Sequence, residues 1–296
     1  MEKSRDGLER LQVQLPLVED NRMPDGTLFF PSQTRFKYQI LGQYLYPLSQ
    51  IIGKEGRTHY FIDGCAGSGY VLIEGRRYEG SPVIMAKTRA KAKRPSLRCV
   101  FIENNKMTFE RLKEATEPFS EFCECVFGDF NEEIDRVLDN VSGYFAFILI
   151  DPFGFGDPII KREVVERIME RPNTEILMNY SWEGVSRCAG QLARESYDPT
   201  SRSTCTTLDL FHTTKWREVE KKQLSAEDRR RAYLDLYIEG WKRYYEHVEY
   251  IEIPPMSKNP EYYLIFTTRH PLGRKIVSEI IGTARRRGSR PLTEMM

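Results

Sequence analysis

The stretch His59-Tyr60-Phe61-Ile62-Asp63, running directly into Gly64-Cys65-Ala66-Gly67-Ser68-Gly69, decides the fold. A short apolar run of strand length ends in an acid, and a glycine-rich turn follows at once. That order opens a nucleotide-binding α/β sheet. The turn has no phosphate-cradling lysine, so it is not a P-loop, and its glycines do not form G-x-G-x-x-G. Gly64, Gly67 and Gly69, with Ala66 between them, let the backbone approach a ligand at a helix N-terminus, where N–H groups meet a carboxylate. Asp63 can accept from an ammonium group. An amino-acid ligand supplies both charges, whereas the glycines alone also read as plain turn residues.

Working outward, the same punctuation recurs. Arg98 to Glu103 is a second strand ending in an acid, with Asn104 beside it. Cys123 to Phe127 is a third, followed by Gly128-Asp129-Phe130. Tyr144 to Ile150, the most apolar run of the chain, leads into Asp151-Pro152-Phe153-Gly154-Phe155-Gly156, and Glu175 to Tyr180 carries Asn179 near its end. Helices are predicted between them, over 34–54 (Tyr38, Ile40, Leu41, Tyr44, Leu45 and Leu48 forming the apolar stripe), 82–93, 106–116, 131–138 and 159–170. Alternating strands and helices imply a parallel sheet buried on both faces. Ligands in such sheets bind at the carboxyl ends of the strands. An acid at the end of the second strand suits two ribose hydroxyls, giving that role to Glu103. Asp129 suits an exocyclic amino group and Phe130 a base, although Gly-Asp is also a common turn. Together they fit an adenosine with a charged amino-acid arm. After the fourth strand, Asp151 and a nearby carbonyl can accept from a substrate amine while an aromatic stacks on its ring.

The remaining chain bounds the alternatives. Residues 1–33 read as a leader packing across the domain, and 34–183 as the cofactor-binding core. Residues 184–247 read as a helical insertion, in which Trp216 and Trp241 form the insertion's own core. A hairpin and helix over 248–282 complete the sheet, and 283–296 is a basic tail. With 296 residues, 40% hydrophobic, 29% charged and a net charge of +1, the chain is neither disordered, collagen-like nor a coiled coil. No apolar run spans a membrane and no secretory signal is visible, so a cytoplasmic protein is expected. Six cysteines without any C-x-x-C argue for reduced thiols and against a metal site. With so small a net charge, nucleic acid needs a local patch. Lys87 to Arg98 and Arg285 to Arg290 offer two, unless they are solvated helix faces. Phe153, Phe155, Tyr180 and Trp182 serve equally as base-stacking residues or as core and lid. His270 reads as structural.

The series F-I-D-x-x-A-G-x-G, G-S-P at 80–82, F-I-E at 101–103, G-D at 128–129 and I-D-P-F-G at 150–154 resembles the class I S-adenosylmethionine (SAM)-dependent methyltransferases. It looks most like the three-Cys-motif partner (TcmP) family, over roughly residues 34–282. The resemblance implies a Rossmann-like, mostly parallel seven-stranded sheet with an antiparallel final strand. It also implies SAM as cofactor, with Asp63 near the methionine moiety, Glu103 on the ribose and Asp129 on the adenine amino group. A partner with a radical-SAM-like three-cysteine motif is implied by the family's name. Asp151-Pro152-Phe153 resembles the D-P-P-Y signature of amino-group methyltransferases, in which the Asp and a following carbonyl, here that of Pro152, hold the target amine. It departs from that signature by having one proline and an aromatic one position early. A non-catalytic scaffold for the three-cysteine protein is the alternative.

Overall fold

A computed structural model describes residues 23–52, 57–92, 96–152, 160–192, 198, 200–253 and 262–287. In chain order the strands are β1 (Leu28–Phe30), β2 (His59–Asp63), β3 (Tyr70–Ile73), β4 (Arg76–Glu79), β5 (Leu97–Glu103), β6 (Cys123–Phe127), β7 (Phe145–Ile150), β8 (Thr174–Ser181), β9 (His247–Ile253) and β10 (Tyr262–Thr268). The helices are α1 (Thr34–Ile52), α2 (Ser81–Ala92), α3 (Lys106–Thr116), α4 (Phe130–Asn140), α5 (Arg162–Glu170), α6 (Trp182–Leu192), α7 (Arg202–Phe211), α8 (Trp216–Glu220), α9 (Ala226–Trp241) and α10 (Pro271–Arg287).

Seven strands form one sheet in the order β6-β5-β2-β7-β8-β10-β9. β10 runs antiparallel to both neighbours, and the other pairings are parallel. This is the expected Rossmann-like architecture, with its antiparallel final strand. The chain steps outward from β2 through β5 to β6, then returns to place β7 on the other side of β2. The order of strands therefore switches between β2 and β7, where a crevice opens at the carboxyl edge.

Both faces of the sheet are apolar, and residue parity sorts them. Phe61, Cys99, Phe101, Phe147, Leu149 and Leu177 point to one face with α1, α2, α3 and α10. Ile62, Val100, Ile102, Ile148, Ile150, Ile176 and Met178 point to the other with α4 to α9. Strands so buried carry continuous hydrophobic runs rather than alternation, which is what the sequence shows. Parity then fixes the polar residues: Asp63, Glu103, Asp151 and Asn179 are all odd-numbered and continue the face that α1 covers.

Two expectations need correction. The glycine turn does not run into a helix. After Gly69 the chain makes the β3–β4 hairpin, which pairs with β1 in a separate three-stranded sheet. Its tip, Glu74-Gly75, takes positive φ at both residues (51° and 73°), as a two-residue hairpin turn of right-handed strand twist requires. The Gly80 N–H then bonds to the Gly69 carbonyl at 2.8 Å, bringing the start of α2 back to the turn. The helices α6 to α9 also have no core of their own: Trp216 and Trp241 are buried in one cluster with Ile176, Tyr180 and Tyr263 of the sheet. A helix face that wide can bury its aromatics only against the sheet. Among the described residues no helix is long and apolar enough to cross a membrane.

Candidate functional site

Asp63 ends β2 and is wholly buried, with 0% of its surface exposed. One carboxyl oxygen accepts from the Cys65 N–H at 3.2 Å, and Ser81 at the start of α2 adds a side-chain hydrogen bond. The other oxygen, Oδ2, has no hydrogen-bond partner among the described residues. Burial, reinforced by the nearby Asp151, pushes its pKa from 3.8 up to about 7 despite opposing contributions from Ser81, Cys65 and Lys37.

Asp151 follows β7. Its Oδ2 pairs with Lys37 Nζ at 2.5 Å, with 8% and 10% of the two side chains exposed. Its Oδ1 accepts from Asn179 Nδ2 at 2.8 Å, which leaves Asn179 Oδ1 buried and unpartnered. A buried ion pair of this kind is costly to assemble and costs more to break from one side. Tyr38 brings its phenol close to both Asp151 and Asp63, and burial followed by those two carboxyls raises its pKa well above the usual range. Cys65 is equally enclosed: burial and the surrounding Asp63, Asp151 and Glu103 push its thiol up, so it is no thiolate nucleophile.

Glu103 at the end of β5 is drawn into the glycine turn. It accepts from the Gly67 N–H at 2.9 Å and the Asn105 N–H at 2.8 Å, and carboxylate oxygens retain lone pairs for a ligand beyond these. Asn104 lies exposed just beyond it. The glycine turn is shaped by contact. Gly67 and Gly69 have φ of 67° and 78°. A Cβ at Gly69 would lie 2.5 Å from that of Ala115, and one at Gly64 would lie 2.5 Å from the Phe130 ring. Ala66 is buried, its N–H bonded to the Ile102 carbonyl at 2.8 Å. Leu28 of β1 lies over the turn, against Gly67.

The sequence-predicted residues therefore divide. Asp63, the glycine turn, Glu103 and Asp151 with its neighbour Pro152 gather at the β2–β7 edge. Asp129, after Gly128, caps α4 by accepting from the Asn131 N–H at 2.8 Å. Phe130 is 1% exposed and packs beneath Gly64, so it is not free to face a base. Tyr180 is likewise core, stacked between Tyr237 and Tyr263, because its even position points it away from the site. Trp182 packs against Tyr233. Phe153, Gly154, Phe155 and Gly156 lie outside the described residues.

The expected basic stretch is largely engaged: Lys87 pairs with Glu79, Arg89 lies over Phe122, and Lys91 lies over Tyr46. Lys93, Arg94 and Arg290 fall outside the described residues. His270 is structural, accepting from the Leu272 N–H at the start of α10. No group of three or more potential metal ligands occurs among the described residues.

Sequence reasoning missed Lys37 and Tyr38. Tyr38 read as part of the apolar stripe of α1. Lys37 carried a legible signal, since it lies four residues before Leu41 on the buried side of the helix.

No family model matches the sequence, and no curated protein matches it. Solved structures do share its fold. A Legionella pneumophila protein of the DUF519 family matches with a TM-score of 0.50 at 11% identity, over 85% of this chain and 92% of that one. Human methyltransferase-like protein 13, solved with SAH, matches with a TM-score of 0.42 at 11% identity, over 88% and 98%. An O-methyltransferase from Bacillus cereus, also solved with SAH, matches with a TM-score of 0.38 at 17% identity, over 77% and 80%. At these identities the likeness is one of fold.

Proposed function

We propose that the chain is a SAM-dependent methyltransferase acting on an amino or related group, with nucleic acid as the acceptor class and a TcmP-type three-cysteine protein as its partner. One observation carries this reading: the buried, unpartnered Oδ2 of Asp63 at the switch between β2 and β7. An orphaned acceptor in a dry crevice calls for a donor, and the ammonium of an amino-acid ligand supplies one. Glu103, tied by Gly67 to the same turn, would take the ribose hydroxyls, and Asp129 would lie toward the adenine. Solved neighbours carry SAH on the same fold.

SAM would supply an electrophilic methyl group on a cationic sulfonium. The chain's part is positioning and charge. Asp151 and the Pro152 carbonyl would hold the acceptor nitrogen in line, with Asn179 fixing Asp151 through its amide. The C–S bond breaks as the C–N bond forms, and the acceptor nitrogen then releases a proton to solvent. No nucleophile or triad is required.

The test is transfer of labelled methyl from SAM to total RNA, total DNA and partner protein. Label should appear in one pool and disappear in Asp63→Asn. A second reading, a SAM-binding scaffold, draws on the fact that both Asp151 oxygens are already engaged by Lys37 and Asn179. Binding of SAM with no transfer to any pool supports the scaffold.

A further inference from the structure

The β3–β4 hairpin has no part in the pocket described above. Gly80 sits directly on Gly69, so the sheet could have been completed without the ten residues between them. They form an addition at the pocket's rim. Their outer strand, β4, pairs only with β3 among the described residues, and it carries Arg76 and Arg77, both exposed. The Arg77 guanidinium lies 3.7 Å from the centre of the Tyr70 ring. Arg35, from the first turn of α1, lies 5.1 Å from that of Tyr78 on β4.

Two residues beyond Arg35, Lys37 holds Asp151. One helical turn thus links the hairpin to the candidate site. That turn contains two cations and no acid, the sign that the helix dipole disfavours. Of the two acids on the hairpin, Glu79 is taken by Lys87, and only Glu74 at the tip remains. The basic residues of α2 are stacked or paired elsewhere, so on this side of the molecule the exposed positive charge is concentrated in the hairpin.

We propose that the hairpin, through Arg76, Arg77 and Arg35 with Tyr70 and Tyr78, binds the phosphate backbone of a nucleic-acid acceptor and leads it to Asp151. Arginines laid flat on tyrosine rings keep their N–H edges directed outward, in the fork that grips phosphate oxygens two at a time. Alternating cations and aromatics suit a single strand, whose backbone and bases each find a partner. A bare structural role for the arginines is to guard an open strand edge against pairing, and that role predicts no ligand. The proposal rests on the methyltransferase reading for what is done to the nucleic acid, and not for its binding.

The experiment is fluorescence anisotropy with short labelled single-stranded RNA and DNA, across a salt series, on the full chain and on Arg76→Gln/Arg77→Gln. The wild type should bind one or both. The variant should bind about tenfold more weakly, with its salt slope reduced by about 2, one for each lost phosphate contact. Its SAM binding, measured by calorimetry, should match the wild type and so report an intact fold. The proposal is overturned if the wild type binds neither strand at low salt, if the variant keeps the wild-type affinity and slope, or if the double change abolishes binding to polyglutamate while leaving nucleic acid untouched. Absent SAM binding in a chain that still binds nucleic acid through these arginines would defeat the methyltransferase reading alone.

Discussion

Asp63 concentrates the electrostatics of the protein. Its folded pKa of about 7 stands above the ordinary 3.8, because burial penalises the charged form. A raised acid stabilises the fold below its unfolded pKa, and that contribution is lost as pH rises through the folded value. The ligand-free protein should therefore lose up to about 4 kcal/mol between pH 4 and 7 from this group. Glu175, raised mainly by burial, adds a loss of the same sign. Asp63→Asn should flatten the Asp63 part, which urea titrations at a series of pH values would read out. Lys37 makes the complementary case. Lys37→Met strands Asp151 without its counter-charge and should cost about 3–5 kcal/mol, whereas Lys37→Met/Asp151→Asn should recover most of that loss. Equal losses in the single and double variants would contradict the pairing. Asp63, Glu103 and Asp151 were legible in the sequence because charge at the end of an apolar run has few structural uses. Phe130 and Tyr180 were misread because their faces depend on strand parity and helix packing, which a motif does not carry.

At the scale of elements, Arg162 ties the helices to the sheet. It is 2% exposed, lies 5.0 Å from the Tyr237 ring centre and 5.3 Å from that of Trp241, and bonds to Glu166. A Cβ at Gly240 would collide with its guanidinium. Gly240→Ala should therefore destabilise the fold by about 1–3 kcal/mol, although alanine is the better helix former. A thermal melt tests this, and an unchanged or raised midpoint would show that the guanidinium relaxes freely. The seven strands of the main sheet were legible as apolar runs with polar ends. The β1–β3–β4 sheet was not, because three- and four-residue strands carry too little period to stand out beside a glycine turn. The fate of the two tryptophans was hidden for another reason: helical amphipathicity says that a face is buried, not what buries it.

Across the whole molecule, one geometric fact organises the rest. Four polar residues at odd positions leave adjacent strands on the face that α1 covers, and the strand order switches between the two that carry Asp63 and Asp151. The convergence follows from the two-residue repeat of a strand, so the sequence spacing already contained it. What the spacing could not supply was the cation that closes the site, which arrives from α1, 114 positions away from Asp151. A cation accepted by Asp63 must favour its carboxylate, so below neutral pH binding should expel a proton. Calorimetric titration with SAM at pH 6, in two buffers of different ionisation enthalpy, reads both effects at once. The account predicts saturable binding with a buffer-dependent heat that signals proton release, and its loss in Asp63→Asn. No binding by folded protein at millimolar SAM, or a buffer-independent heat that the variant retains, would contradict it.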